Sequence, residues 1–464
     1  MKKKIYRIVM LVMMIIPLVG CGSSSANDDT KNIVVQNENI EKDEDAIAKL
    51  EEANEYYDKG RNFLYGLNGV EIDLSLAYEN FEKAVELGKV DANFYLGVLC
   101  DWYNYPEKNY ELAKEYYDKC ENNSYADICV GALYLYALGV EEDEVKAKEI
   151  FQSVIDSGCV DGYCGLASLA YGEEDYGTVY EYCNKVINEG TEQLFIADAM
   201  GILAGLYRNG QGVDQDYGKA LEWYEKAAGL GCSYAMNRIA LLYYYGNGVE
   251  QDYLKAVEWF EKAASLNCED AMNNIGVMYY NGQGVDQDYG KVMEWYEKAA
   301  DLGDSTAMYN IGRLYEKGDE VKQDYQKAME WYEKAADLGH EDAMYNIGWM
   351  YCNGQGVEQD YQKAMEWYEK AADLGQKVAM NDIGWMYYQG LGVIKNYATA
   401  LEWYEKAAAL DHANAINNIG LLYAHGGYGI EQDYVKAIEW FEKAADLGNE
   451  TAKANAEKIR QQMH

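Results

Sequence analysis

From about residue 195 to 448 the apolar positions of the chain return on a fixed beat. An Ala-Met pair, Ala-Ile in the last copy, stands at Ala199, Ala235, Ala271, Ala307, Ala343, Ala379 and Ala415, each 36 residues after the one before. Trp223, Trp259, Trp295, Trp331, Trp367 and Trp403 keep the same interval, and the next slips by one residue to Trp440. Within one period, Ala343 to Gly375, a helix turns by about 100° per residue. Ala343, Met344, Ile347, Gly348 and Tyr351 then share one arc, and Tyr361, Ala364, Met365, Trp367, Tyr368, Ala371 and Ala372 share another. Gln362, Lys363, Glu366, Glu369, Lys370 and Asp373 fall on the opposite side. No alternation of period two competes, so each period predicts two amphipathic helices.

The punctuation between them agrees. Gly354 and Gly356 break the chain, Asp360 stands where a carboxylate can take orphan N–H groups, and Gly375 stands where a left-handed residue closes a helix. Glu366 and Lys370 have the favourable i,i+4 order. Gly348 and Ala371 are small where two helices must approach. Each period is therefore an αα-hairpin, and an αα-hairpin repeated at fixed spacing buries its apolar face only against its neighbours.

Upstream the pattern is looser. First helices are predicted at Asp91, Ala126 and Asp161, and second helices at Leu74, Tyr110, Val145 and Tyr176. With an opening helix over Asp45 to Leu64 these make about four irregular pairs, and with the seven regular ones eleven pairs in one continuous superhelix. Glu450 to Gln462 reads as a polar capping helix. The expected boundaries are residues 1–20 for a leader, 21–43 for a tether, 44–194 for irregular repeats, 195–448 for regular repeats and 449–464 for the cap.

The string A-M-x-x-I-G-x-x-Y … G-x-G-V-x-x-D-Y-x-K-A-x-x-W-Y-x-K-A-A-x-x-G resembles the Sel1-like repeat, a relative of the tetratricopeptide repeat. The fourth copy departs in its loop, EKGDEVKQDY, which lacks the second glycine, and the sixth has Asn396 and Thr399 for Asp and Lys. The resemblance implies an all-α fold, a right-handed superhelical solenoid of αα-hairpins whose first helices line a concave face, and a function in holding a protein or peptide partner.

The chain starts with Lys2, Lys3, Lys4 and Arg7, then an apolar run from Ile8 to Leu18. That run falls short of the ~20 residues a membrane span needs. It ends in Leu-Val-Gly-Cys, which resembles the lipobox of bacterial lipoproteins. The resemblance implies cleavage before Cys21, lipid on its sulfur, and anchoring in the cell envelope, on the outer side of the cytoplasmic membrane or on the outer membrane. The polar segment to about Lys42 then reaches only ~25 Å as a coil. Membrane contact is expected through this lipid alone.

The formal net charge is −39, which disfavours nucleic acid and anionic lipid as partners and leaves open a basic protein surface, a neutral glycan or divalent ions. Of ten cysteines, nine remain after Cys21. Cys159, Cys232 and Cys268 occupy equivalent repeat positions ~10–20 Å apart at the usual helix spacing, too far for the ~7 Å Cα limit of a disulfide. Cys120 with Cys129, or Cys159 with Cys164, are close enough in sequence to pair.

Variable positions on the repeated helices are candidates for partner contact. Residues two and six after the repeating Ala are expected to point away from the buried arc: Asn237 and Leu241, Asn273 and Val277, Tyr309 and Arg313, Tyr345 and Trp349, Asn381 and Trp385, Asn417 and Leu421. Among them Tyr309, Arg313, Tyr345, Trp349 and Trp385 would form an aromatic patch. Asn274, Asn310, Asn346 and Asn418, interrupted by Arg238 and Asp382, form a row of amides able to bond an extended peptide. The aromatic face also suits a cell-wall or exported glycan. The seven second-helix tryptophans read as packing.

No SxxK, GxSxG or phosphate-loop string occurs, and His340-Glu341 lacks the second His of a zinc-protease motif because Met344 stands there. The Asp-Gln-Asp strings at Asp214 and Asp286 do not continue into a calcium loop. The expectation is a monomeric, non-enzymatic binding protein without metal or cofactor.

Overall fold

The structure, a computed structural model, describes residues 40–463 except 66–69, 71–72, 103–108, 121, 192, 319–320 and 428. The leader, Cys21 and most of the tether lie outside the described residues. Among those described there are 23 α-helices in tandem, one short 3-10 turn at Val160–Gly162, and no strand beyond an isolated bridge between Gly427 and Ile430. None of the helices is long and apolar enough to cross a membrane. The chain divides into two compact units, one ending at Asp288 and one running from Tyr289.

The unit from Tyr289 shows the repeat most regularly. Its helices are Tyr289–Asp301, Ser305–Lys317, Tyr325–Asp337, Glu341–Asn353, Tyr361–Asp373, Lys377–Gln389, Tyr397–Ala408, Ala413–His425, Tyr434–Asp446 and Glu450–Met463. Within this unit, each second helix after Tyr289–Asp301 packs between two first helices or, at the end, between a first helix and the closing one. Tyr332 of helix Tyr325–Asp337 lies on Gly312 of the preceding helix, while Ala328, Met329, Ala335 and Ala336 pack on Ala343, Ile347 and Met350 of the following one. The same arrangement returns one period later, with Tyr368 on Gly348 and Ala364, Met365, Ala371 and Ala372 against Ala379, Ile383 and Met386. The last helix closes the array with Ala452, Ala456 and Ile459 buried and Arg460 paired with Glu442.

The connection from first to second helix is held by its own polar groups. Gly354 takes the left-handed conformation (φ 67°) that ends helix Glu341–Asn353. Gln359 Nε2 donates to the Cys352 carbonyl at 2.8 Å and to the Tyr361 hydroxyl at 3.0 Å. The Asp360 amide donates to the Tyr351 carbonyl, and its carboxylate accepts from the amides of Gln362 and Lys363. Asn396 of the divergent sixth copy accepts from Ala398 and Thr399 in the same way, so either an acid or an amide serves as cap. Asp360→Ala should therefore cost about 1 kcal/mol in urea unfolding, whereas Asp360→Asn should fall within a few tenths of wild type.

The seven repeating tryptophans are half-buried at the core edge, and each ring carries the ammonium of the lysine three residues on. The distances run from 3.6 Å at Lys406–Trp403 to 4.4 Å at Lys443–Trp440. Such a contact adds about 0.5–1 kcal/mol at an exposed site.

In the unit ending at Asp288 the helices start with Ile40–Tyr65, longer at both ends than the expected Asp45 to Leu64. They finish with Glu269–Asn281. Phe81, Tyr117, Phe151, Tyr224 and Phe260 fill the ring position of the second helices and are fully buried or nearly so. The nine cysteines from Cys100 to Cys352 are free thiols, so neither Cys120 with Cys129 nor Cys159 with Cys164 is bonded.

Candidate partner-binding face

The first helices present three kinds of position to their surroundings: the second, third and sixth residues after the repeating Ala. The sixth points outward where it is Trp385, which is 41% exposed. Trp349, one repeat earlier, is half-buried and packs against the core clusters on both sides of its helix. Arg313 is exposed, with its guanidinium carbon 5.8 Å from the centre of the Tyr309 ring.

The second position corrects the expectation drawn from a single helical wheel. Asn237, Asn381 and Asn417 do not point away from the core: they are 1%, 9% and 7% exposed. The reason is that this side of a first helix meets the first helix of the next repeat, whose third position reaches back to it. Asn274 Nδ2 donates to Asn237 Oδ1 at 3.1 Å, Asn418 Nδ2 to Asn381 Oδ1 at 3.0 Å, and Asn455 Nδ2 to Asn417 Oδ1 at 3.0 Å. The amide row is thus partly a set of rungs between neighbouring helices, and Asn274 and Asn418 each commit one N–H to the wall itself. Each amide has a second N–H and carbonyl lone pairs beyond that rung.

Where the second position is Tyr the rung changes chemistry. The Tyr345 hydroxyl donates to Asp382 Oδ2 at 3.1 Å, and Asn381 Nδ2 donates to the other oxygen at 2.9 Å. Burial pushes the Asp382 carboxyl up from its usual range, and these two donors offset part of the rise. The Tyr345 ring stacks on Tyr368 at 5.5 Å. Tyr309 stacks on His340 at 4.6 Å and lies 5.7 Å, centre to centre, from the Tyr332 ring, whose hydroxyl donates to Glu316. Burial pushes the His340 imidazole down, which suits its Nδ1 to accept from the Ala343 amide and cap helix Glu341–Asn353. The structure thus joins Tyr309, Arg313, Tyr332 and His340 in one polar-aromatic group and links Tyr345 through Asp382 and Asn381 to Asn418, while Asn346 is half-buried in the same wall. Asn310 is half-buried in the same wall.

Sequence reasoning missed two contributors. Second-helix tyrosines have buried rings, but their hydroxyls reach the first-helix wall, as Tyr332 does at Glu316. There they meet the ninth residue after the repeating Ala, which varies as Arg208, Tyr244, Tyr280, Glu316, Cys352, Tyr388 and Ala424. That variability within a fixed frame was the available signal.

A family model for the Sel1 repeat matches residues 51–89, 90–119, 126–159, 197–232, 233–268, 269–304, 305–340, 341–376, 377–412 and 413–449. The chain belongs to the Sel1 repeat family. Repeat arrays of this kind generally mediate protein–protein interaction. No curated protein matches the chain in sequence. Among solved structures it is similar to a protective antigen of uropathogenic Escherichia coli strains that displays an SLR fold, with 29% identity over 92% of this chain and 91% of that one and a TM-score of 0.51. It is also similar to a Sel1 repeat protein from Oxalobacter formigenes, with 34% identity over 53% of this chain and 99% of that one and a TM-score of 0.49.

Proposed function

We propose that this protein is a lipid-anchored adaptor of the bacterial cell envelope that holds a protein or peptide partner on the first-helix wall of the unit from Tyr289, and that it acts by binding rather than by catalysis. The observation that carries the reading is Trp385, a large aromatic side chain exposed on a wall whose other polar groups are held in place by rungs from repeat to repeat. Aromatic anchors on a preorganised surface are the usual centres of interface energy. The net charge of −39 favours a basic partner surface and a faster encounter with it. Anchoring rests on the Leu-Val-Gly-Cys string ahead of the polar tether.

Trp385→Ala is the clean test, because Trp349 also supports the core and its removal would confound binding with stability. Capture of the partner from envelope extracts should weaken by about 10–30-fold, the effect of a central aromatic anchor. The melting temperature should move by less than about 2 °C, as befits a surface change. Unchanged capture would remove Trp385 from the site. A glycan is the other occupant that an exposed indole suits, by stacking on a sugar ring. Retention of purified envelope polysaccharide by wild type but not by Trp385→Ala, with no protein retained, would replace the adaptor reading by that one.

A further inference from the structure

In the unit from Tyr289 one residue closes the start of each first helix and of the last helix, and its chemistry changes from repeat to repeat. Asp304, Gln376 and Asn449 accept the amides of Ala307, Ala379 and Ala452 on carboxylate or carboxamide oxygens. His340 and His412 do the same on a ring nitrogen. Nδ1 of His340 accepts from the Ala343 amide at 3.3 Å, and Nδ1 of His412 from the Ala415 amide at 3.2 Å. The two histidines stand two periods apart and repeat one geometry. The amides they take are among those that a helix start leaves without an intrahelical partner.

An imidazole accepts on Nδ1 only while that nitrogen carries no proton, and the imidazolium donates from both nitrogens. A proton there removes the acceptor and sets a positive charge at the positive end of the helix. Ala343 and Ala415 are fully buried, so their amides have no water to turn to. Both histidines are half-buried, and burial pushes both imidazoles down from their usual value. Asp342 and Glu341, in the first turn that His340 caps, oppose the fall, and Asp342 accepts in turn from Gln376 of the next repeat. From helix Ser305–Lys317 the Tyr309 ring stacks on His340, a contact that also favours a cation. At His412 the ammonium of Lys377, from the start of the preceding first helix, adds to the fall. The second helices meet the two histidines through backbone, the His340 and His412 amides donating to the Ala335 and Ala407 carbonyls.

We propose that His340 and His412 form an acid-sensitive switch in this unit: neutral, they close the first turns of helices Glu341–Asn353 and Ala413–His425, and protonated, they release them. Histidine is the side chain whose ordinary titration falls between about pH 5 and 8, whereas the carboxamide caps Gln376 and Asn449 do not titrate. Acid therefore loosens two first helices and leaves amide-capped neighbours closed. A histidine whose pKa is lower folded than unfolded contributes stability that is fully present above the unfolded value of about 6.5 and is lost as pH falls through it toward the folded value. Helix Glu341–Asn353 carries Tyr345, Asn346 and Trp349, so its release reaches the first-helix wall. The switch stands whether or not that wall holds a partner.

The test compares the full chain with a double variant, His340→Asn and His412→Asn, asparagine being a cap that this fold already uses at Asn449. At about pH 7.5 the two melting temperatures should agree within about 2 °C, and at about pH 5.5 wild type should melt about 2–4 °C below the variant. The difference between the two proteins is the readout, because groups common to both cancel in it. In wild type with carbon-13-labelled histidine rings, the His340 and His412 signals, assigned by their loss in the single variants, should titrate below about 6.5. His425 is the control: its Nδ1 lies 2.8 Å from the Leu421 carbonyl and donates to it, so His425→Asn should keep the wild-type loss in acid. The proposal is overturned by a difference that stays constant between the two pH values, by both ring signals titrating at or above about 6.5, or by a loss that His425→Asn abolishes. If the double variant fails to fold, the single variants and the ring titration decide the matter.

Discussion

Replacing Gly348 by alanine should destabilise the unit from Tyr289 by about 1–3 kcal/mol, although helix propensity alone argues for a gain of ~1 kcal/mol. Gly348 lies inside helix Glu341–Asn353, where alanine is ordinarily the better residue. The Cβ it would add stands 2.6 Å from Cδ1 and 2.8 Å from Cε1 of Tyr368, and 3.2 Å from the Ala364 carbonyl oxygen. The Tyr368 ring is held from its other face by Tyr345, and carbonyl and ring belong to the same second helix, so the whole helix must move to make room. Steric overlap therefore outweighs propensity. The equivalent residues of two earlier repeats are Ala204 and Ala240, so a methyl group here is a cost and not a bar to folding. Gly229→Ala is the matched control. It ends helix Tyr217–Gly229 with nothing within 4 Å of the added Cβ, and it should stabilise by about 0.4–1 kcal/mol. Urea unfolding of the two variants should show opposite signs. A stabilised Gly348→Ala protein would mean that the second helix is free to shift, and that the close approach is not what places it.

The same contact shows why the core was legible. Period 3.6 brings Ala343, Ile347 and Gly348 to one arc and Ala364, Tyr368 and Ala371 to another, and the rule that small residues mark close approach then pairs Gly348 with a large ring. Helix ends were legible because Asp360 and Gly354 each perform one local task, capping or turning, that no distant contact overrides. The binding wall was less legible. A helical wheel separates the apolar side of one helix from its polar side, but a first helix in a stack touches the next first helix as well as two second helices. Asn237, Asn381 and Asn417 are polar on the wheel and buried in the stack, because an amide from the next repeat satisfies each of them. Arg238 looked like an interruption of the asparagine row for the same reason.

Asp198→Asn should make the unit ending at Asp288 more stable at pH 7–8, by on the order of 1–3 kcal/mol, the free energy of protonating or desolvating a carboxylate that asparagine does not carry. Asp198 lies on helix Gln193–Asn209 and is 6% exposed, and its Oδ1 has no hydrogen-bond partner. It borders a cavity of about 20 Å³ lined otherwise by Ile128, Ala132, Leu135, Phe151 and Ile202, with Tyr136 and Ser168 among its few polar neighbours. That volume holds one water molecule, which cannot replace the hydration of a carboxylate. Burial pushes the Asp198 carboxyl well above the usual range, and no cation opposes the rise. A carboxyl whose pKa is higher folded than unfolded adds stability that is fully present below the unfolded value of about 3.9 and is lost as pH rises through the folded value. The wild-type protein should thus lose stability from acid to neutral pH through this one residue, and asparagine, of the same shape and uncharged, should remove that slope. The gap between the two proteins in urea unfolding should be widest at pH 8 and should close toward pH 4. A variant that is weaker than wild type at pH 8, or a gap that does not change with pH, would show that the Asp198 carboxylate has a charged partner in solution.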